Sequence, residues 1–271
     1  MKIRINLILA TFAVCSLAFS GQALAQEKKT APKSSKKVLV ELYVSQGCNS
    51  CPSANDFMSE LASLGFGPDK IVPVAFHVDY FNEPWADPFS NKDYSKRELA
   101  YNSVQKRNDL YFTPMMMVDG RYPMLGSNRP EALKAIKKAL AEKPGASLKL
   151  GWANPSADRT LNVDVASLSP EVVGRQLMVG VTVTEGPITT RVPSGENAGQ
   201  TLVEPFIVRS YTYKTAKLGA SESTSLNFPV KLPRDSVASK CRVSVFVQDW
   251  DNGKVYQADA IPWVTEVTAR R

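Results

Sequence analysis

Apolar patterning along this chain predicts two folded units in series: an α/β unit over residues 38–143 and an all-β, immunoglobulin-like sandwich over 146–271. Three observations carry that expectation. In the first unit, short β-branched runs alternate with repeats at helical spacing. In the second, seven short strand candidates are separated by turn residues, with no helical stretch. Between them, Glu142-Lys143-Pro144-Gly145 breaks both patterns. The 271 residues, 44% hydrophobic and 22% charged, suffice for real cores and exclude wholesale disorder, collagen and coiled coil.

The first residues read as an address. Lys2 and Arg4 are basic, residues 5–19 are apolar, and Ala23-Leu24-Ala25 offers small residues for cleavage after Ala25. This is the three-part pattern of a secretory signal peptide, and its apolar run is short for a membrane span. A periplasmic or secreted protein is therefore expected, in a compartment that permits disulfides. Residues 26–37, QEKKTAPKSSKK, read as a flexible leader able to make weak contact with an anionic envelope surface.

Charge follows the same division. The net charge is +7, of which Lys2 and Arg4 give +2 and residues 26–37 give +4, leaving +1 for residues 38–271. The basic balance belongs to the address and leader, so no nucleic-acid partner is expected.

Within the first unit, residues 38–44 (VLVELYV) predict a strand buried on both faces. Ala54, Phe57, Met58, Leu61 and Leu64 predict a helix over 53–64, stopped by Gly65 and Gly67. Residues 71–78 predict a second buried strand, followed by an aromatic-rich loop over 79–90. A capping box at Ser90 and Asp93 predicts a helix over 91–106. Strands at 115–118 and 121–125 flank the hairpin turn Asp119-Gly120, and a helix over 130–140 closes the unit. The order β-α-β-α-β-β-α is the thioredoxin architecture. In the second unit, strands are expected near 148–152, 160–166, 176–184, 202–213, 223–230, 242–248 and 254–262, with a loop over 184–200.

Chemistry points to Cys48-Asn49-Ser50-Cys51, after a buried strand and at a helix start. A helix N-terminus stabilises a thiolate, lowering a thiol pKa from about 8.5 toward about 3.5–7.5. Cys48, beside Gly47 and near the surface, is expected to attack; Cys51, one turn in, is expected to resolve. Thr113 and Pro114, just before a strand, stand where a cis-proline would orient an extended partner chain. A structural zinc half-site is the competing reading, but Cys241 and His77 are the only other mature candidates for the usual four ligands. A single histidine excludes two His ligands in one chain.

VELYVSQGCNSCPSA, FHVDYFNEPWADPFS and YFTPMMMVDGR resemble the secreted thioredoxin-like family known as domain of unknown function 1223. GENAGQTL, FIVRSYTY and VSVFVQDWDNGKVYQADAI resemble that family's C-terminal half. The resemblance implies a thioredoxin-like fold with Cys48 and Cys51 as its active pair, and it supplies no established substrate. Met115 departs from the family pattern, which leads one to expect Gln after Pro114.

Other residues carry a functional and a structural reading side by side. Glu41, in a buried strand, would either relay the proton of Cys51 or sit in a salt bridge. His77 and Asp79, at the end of the second strand, would relay protons or stabilise a thiolate; alternatively, His77 is a structural group bonded to Asp79 or the aromatic loop. That loop would either rim a groove for a peptide or roof the core. Cys241 shares one strand face with Val243, Val245 and Val247 and is read as a core thiol. Met115, Met116 and Met117 alternate faces, so they are read as core rather than a soft-metal patch.

The leading function is an exported thiol–disulfide oxidoreductase acting on protein or peptide thiols and disulfides, with no cofactor beyond the Cys48–Cys51 redox pair. One alternative is a copper-handling protein using Cys48, Cys51 and His77. Another is a non-enzymatic thioredoxin-like binding module whose disulfide is structural.

Overall fold

A computed structural model of the chain describes residues 35–153 and 159–264. The predicted signal peptide over 1–25 and the leader to residue 34 lie outside the described residues. The elements are β1 (Val38–Val44), α1 (Cys51–Glu60), β2 (Ile71–His77), α2 (Lys92–Gln105), β3 (Met115–Val118), β4 (Tyr122–Leu125) and α3 (Arg129–Leu140). The strands β5 (Ala146–Trp152), β6 (Arg159–Ser167), β7 (Gln176–Glu185), β8 (Ile188–Arg191) and β9 (Thr201–Glu204) follow. The last four are β10 (Ile207–Lys217), β11 (Ser223–Val230), β12 (Cys241–Asp249) and β13 (Val255–Pro262).

Local chemistry accounts for the element boundaries. The Asn91 side chain accepts the Asp93 N–H at the start of α2, and Lys106, at φ 54°, ends it. Asn128 accepts the Glu131 N–H at the start of α3. Every residue of β1 is buried, as its unbroken apolar run requires. Gly120, at φ 66°, turns β3 into β4 where an added Cβ would meet Gly253 O at 1.9 Å.

The expectation of a thioredoxin-like α/β domain followed by a separate immunoglobulin-like sandwich is overturned. Strands from both halves of the chain form one mixed eight-stranded sheet, in the order β13-β12-β7-β10-β2-β1-β3-β4. The join is β10 running parallel to β2, with Ile207 opposite Ala75. The Ala75 N–H donates to Phe206 O at 2.8 Å. Without β10, β2 would present an unpaired edge, and a buried edge must be paired.

A second sheet, β11-β6-β5, is paired separately from the large one and packs against it. Its Leu161, Val163 and Val165 join Val179, Val243, Val245 and Cys241 in one apolar cluster. On β12, Ser244, Phe246 and Gln248 are buried too. Phe246 belongs to a different cluster with Tyr94 and Tyr101 of α2. A strand covered on both faces has no solvent side, whereas a simple sandwich would leave one face wet.

Two smaller corrections concern the second half. The segment expected as a loop over 184–200 contains β8, and β8 pairs with β9 as a hairpin of its own. The strand expected over 202–213 is split into β9 and β10 at Pro205-Phe206, with Phe206 at φ 55°. The leader boundary also shifts. Lys36 is buried and its Nζ lies 2.9 Å from Asp119 Oδ2, and Lys37 Nζ lies 2.6 Å from Asp259 Oδ1. Among the described residues, no helix is long and apolar enough to cross a membrane.

Candidate functional site

Cys48 and Cys51 are joined as a disulfide with their Cα atoms 5.5 Å apart. Cys51 begins α1, Pro52 fills its first turn, and Ser50 at the N-cap makes no side-chain cap. The positive end of α1 is therefore not neutralised from within its own first turn. The spacer Asn49–Ser50 is exposed, and Ser50 Oγ lies 3.3 Å from Cys48 Sγ. The Thr113–Pro114 peptide is cis. Gly126, whose N–H donates to Pro114 O at 2.8 Å, sits where a Cβ would press on Leu42, Ala54 and Pro114. That contact places Pro114 on the α1 side of the sheet, the side of the cysteine pair.

Cys48 does not lie near the surface, as its place in the sequence suggests. Both cysteines are 2% exposed. The cover comes from the tip of the β8–β9 hairpin. Asn197 Nδ2 donates to Gln46 O and to Cys48 O, each at 2.9 Å, and Asn197 is fully buried. The Glu196 carboxylate accepts the Asn49 N–H at 2.9 Å. A Cβ added at Gly195 would meet Gly47 at 3.7 Å and Pro84 at 4.0 Å, so the cysteine loop lies between the hairpin and the aromatic 79–90 loop.

Beneath the pair lies a buried polar cluster. His77 Nδ1 is 2.7 Å from Asp87 Oδ2, and Nε2 is 3.9 Å from Glu204 Oε1. Asp87 also accepts the Gln46 N–H at 2.8 Å. Glu204, at the end of β9, accepts from Asn55 Nδ2 at 3.1 Å and from Gln46 Nε2. Gln46 precedes the cysteine pair and Asn55 follows it by one turn, so Glu204 ties both flanks together. Burial alone would push the His77 imidazolium down, but the Asp87 and Glu204 carboxylates override it and hold its pKa at about 9. The Asp87 carboxyl is held below its usual range: burial would raise it, and the His77 charge together with hydrogen bonds outweighs that. Burial raises the Glu204 carboxyl, against the pull of His77.

The other expected site residues are placed elsewhere. Glu41 lies between Val40 and Leu42, which pack on the cysteine side, so its side chain crosses to the opposite face. There it accepts from Arg97 Nε at 2.7 Å, from Tyr43 at 3.0 Å and from Tyr101. It is a salt-bridged core acid and no relay for Cys51. Asp79 is bonded to Ser95 through its N–H, at 3.0 Å, and its carboxylate. The histidine's partner is thus Asp87 rather than Asp79, and Phe89 of the aromatic loop packs edge-on against the ring at 5.6 Å. Cys241 is buried, donates to Val237 O at 3.3 Å, and has its thiol pKa pushed up to about 11 by desolvation. Met115, Met116 and Met117 are all buried and split between two apolar clusters.

Among the described residues, no group of three or more His, Cys, Asp and Glu is arranged to hold a metal ion. A cavity of about 540 Å³ lies beside Arg97, Tyr101, Tyr211, Tyr213 and Trp250, on the α2 side and away from the cysteines. Sequence reading missed Gln46, Asn55, Asp87, Glu196, Asn197 and Glu204. The signal for two of them was present: Glu196 and Asn197 lie in GENAGQTL, a segment that carries no chemistry until folding sets it against Cys48.

Comparisons with known proteins bear on the fold. The model of a family described as a protein of unknown function, DUF1223, matches residues 39–248. The crystal structure of protein AGR_C_4864 from Agrobacterium tumefaciens superposes with a TM-score of 0.65 at 19% identity, covering 88% of this chain and 98% of that one. HBP35 of Porphyromonas gingivalis superposes with a TM-score of 0.63 at 15% identity, covering 84% of this chain and 75% of that one. At such identities the likeness is one of fold. No curated protein matches the sequence.

Proposed function

Because this chain belongs to DUF1223, a family of unknown function, its chemistry has to be read from its own residues, and we propose that it is an exported thiol–disulfide oxidoreductase acting through Cys48 and Cys51. The observation that carries this reading is the disulfide at the uncapped N-terminus of α1, with an exposed two-residue spacer. The signal-peptide pattern of residues 1–25 supports export, to a periplasm or beyond.

The exchange runs in two displacements. A partner thiolate attacks Cys48 Sγ, the Cys48–Cys51 bond breaks, and its electron pair passes to Cys51 Sγ, which takes up a proton. A mixed disulfide now joins the partner to Cys48. A second partner thiolate attacks the partner's sulfur in that bond and releases Cys48 as a thiolate. The partner gains one disulfide and loses two electrons; the cysteine pair gains those two. In reverse, Cys48 attacks a partner disulfide and Cys51 resolves it. The end of α1 favours negative charge on Cys48 at the moment it leaves or attacks.

A second reading, a structural disulfide in a binding module, draws on the 2% exposure of both cysteines. The two separate by experiment. The Cys51→Ser variant should attack a disulfide-bearing peptide through Cys48, releasing one peptide thiol and holding the other half as a mixed disulfide, and the wild-type pair should titrate reversibly against glutathione. A potential below about −300 mV with no mixed disulfide would support the structural reading instead.

A further inference from the structure

We propose that Glu196 gives the Cys48–Cys51 site a charge preference, favouring thiol partners with positive charge beside the reactive sulfur and retarding anionic ones. The proposal rests on the exchange reading above and adds the partner class to it.

The loops over 45–53, 79–91 and 192–200 contain no Lys or Arg, and in the loop that leads to Pro114, which holds Lys106 and Arg107, Arg107 is paired with Asp109 at 2.6 Å. Four acids lie in the first three loops: Asp79, Glu83, Asp87 and Glu196. Two are engaged inside the protein, Asp87 by His77 at 2.7 Å and Asp79 by Ser95. Glu83 and Glu196 are exposed. Arg209, which stacks over Phe89 of the aromatic loop, is ion-paired with Glu185 and Asp235 and brings no free charge to the rim.

Glu196 is the acid fixed against the cysteine loop. Its carboxylate accepts the N–H of Asn49, the residue after Cys48, at 2.9 Å. The carboxylate therefore stands beside the residue that follows Cys48 and precedes the Ser50 N-cap of α1, and on the proposed route an attacking thiolate approaches next to it. An incoming sulfur with further negative charge meets a like charge at close range, while a cationic neighbour is drawn in. Asn197 separates this effect from access. It pins the hairpin through two carbonyls and carries no charge.

The test uses the full oxidised chain at low salt, reduced by cysteamine, mercaptoethanol and mercaptoethanesulfonate. Each rate is divided by that thiol's rate on a small neutral disulfide. The expected order is cationic, neutral, anionic, with the extremes separated by about threefold to tenfold. Glu196→Gln should compress that ratio, as should high salt. Glu196→Gln should also lower the Cys48 pKa, read from the pH dependence of alkylation of the reduced chain. Asn197→Ala should accelerate all three thiols alike and leave the ratio intact. An unchanged ratio in Glu196→Gln, or a ratio altered by Asn197→Ala instead, overturns the proposal. If no thiol reduces the wild type and Cys51→Ser forms no mixed disulfide, the exchange reading itself fails; reduction without a charge order removes only the role of Glu196.

Discussion

Two buried ion clusters lie on opposite faces of the large sheet, one around Glu41 and one around His77. Glu41 belongs to the face away from the cysteines, where Arg97 supplies its counter-charge at 2.7 Å. Arg97→Met should leave that carboxylate uncompensated and cost about 3–5 kcal/mol in a denaturant titration. Adding Glu41→Gln should recover part of the loss, with the cysteine reactivity unchanged throughout. His77 sits on the other face, and its imidazolium is favoured in the folded state, with a pKa raised to about 9. A raised pKa means its contribution is complete below the ordinary histidine value and is lost as pH rises through 9. The stability gap between wild type and His77→Gln should therefore shrink from pH 7 to pH 10, as followed by urea melts; a gap that grew would contradict the pairing. Burial of Glu41 was legible in its apolar neighbours, but its partner was not. Arg97 is 56 residues away and was one polar residue among many on its helix.

At the level of elements, most strands and helices were legible because their patterns are local. Residues 38–44 read as a doubly buried strand and are one. Pairing was not legible, because a strand edge carries no mark of its neighbour. The β2–β10 join depends on Phe206, whose left-handed backbone ends the β9 segment and starts β10. Ala75→Pro removes the N–H that reaches Phe206 O and should destabilise the protein by about 3 kcal/mol or more. Hydrogen exchange gives a second check: the Ala75 amide should exchange as slowly as the centre of β1. Gly180 makes a similar point. An added Cβ would lie 2.2 Å from the Phe246 ring, so Gly180→Ala should displace that ring and disturb the β7–β12 pairing.

For the whole molecule, a large sheet shared by both halves of the chain means one folding unit. The described residues, 35–153 and 159–264, belong to a single compact unit, with no boundary at 143–146. Calorimetry and circular dichroism should show one coincident transition; two separated transitions would contradict the shared sheet. A fragment ending near residue 145 would lose β10 and expose the edge of β2, so it should aggregate or stay unfolded. The composition shift at Glu142–Gly145 is real in the sequence, yet it marks a change of strand pattern rather than a boundary. Of the candidate site, the cysteines and Pro114 were legible through a local motif. Their cover and supporting acids were not, since Glu196, Asn197 and Glu204 come from a distant segment.

That distance has a consequence in time. Asn197 contacts Cys48 across 149 residues of chain. A polypeptide emerging from its N-terminus presents both sulfurs long before residues 192–204 exist to close over them. Oxidation of the pair then needs no displacement of the hairpin, and folding of the last half fixes the state the pair has reached. Chains truncated before residue 190 should lose that protection, their sulfurs alkylating after mild reduction at the rate of an unstructured peptide.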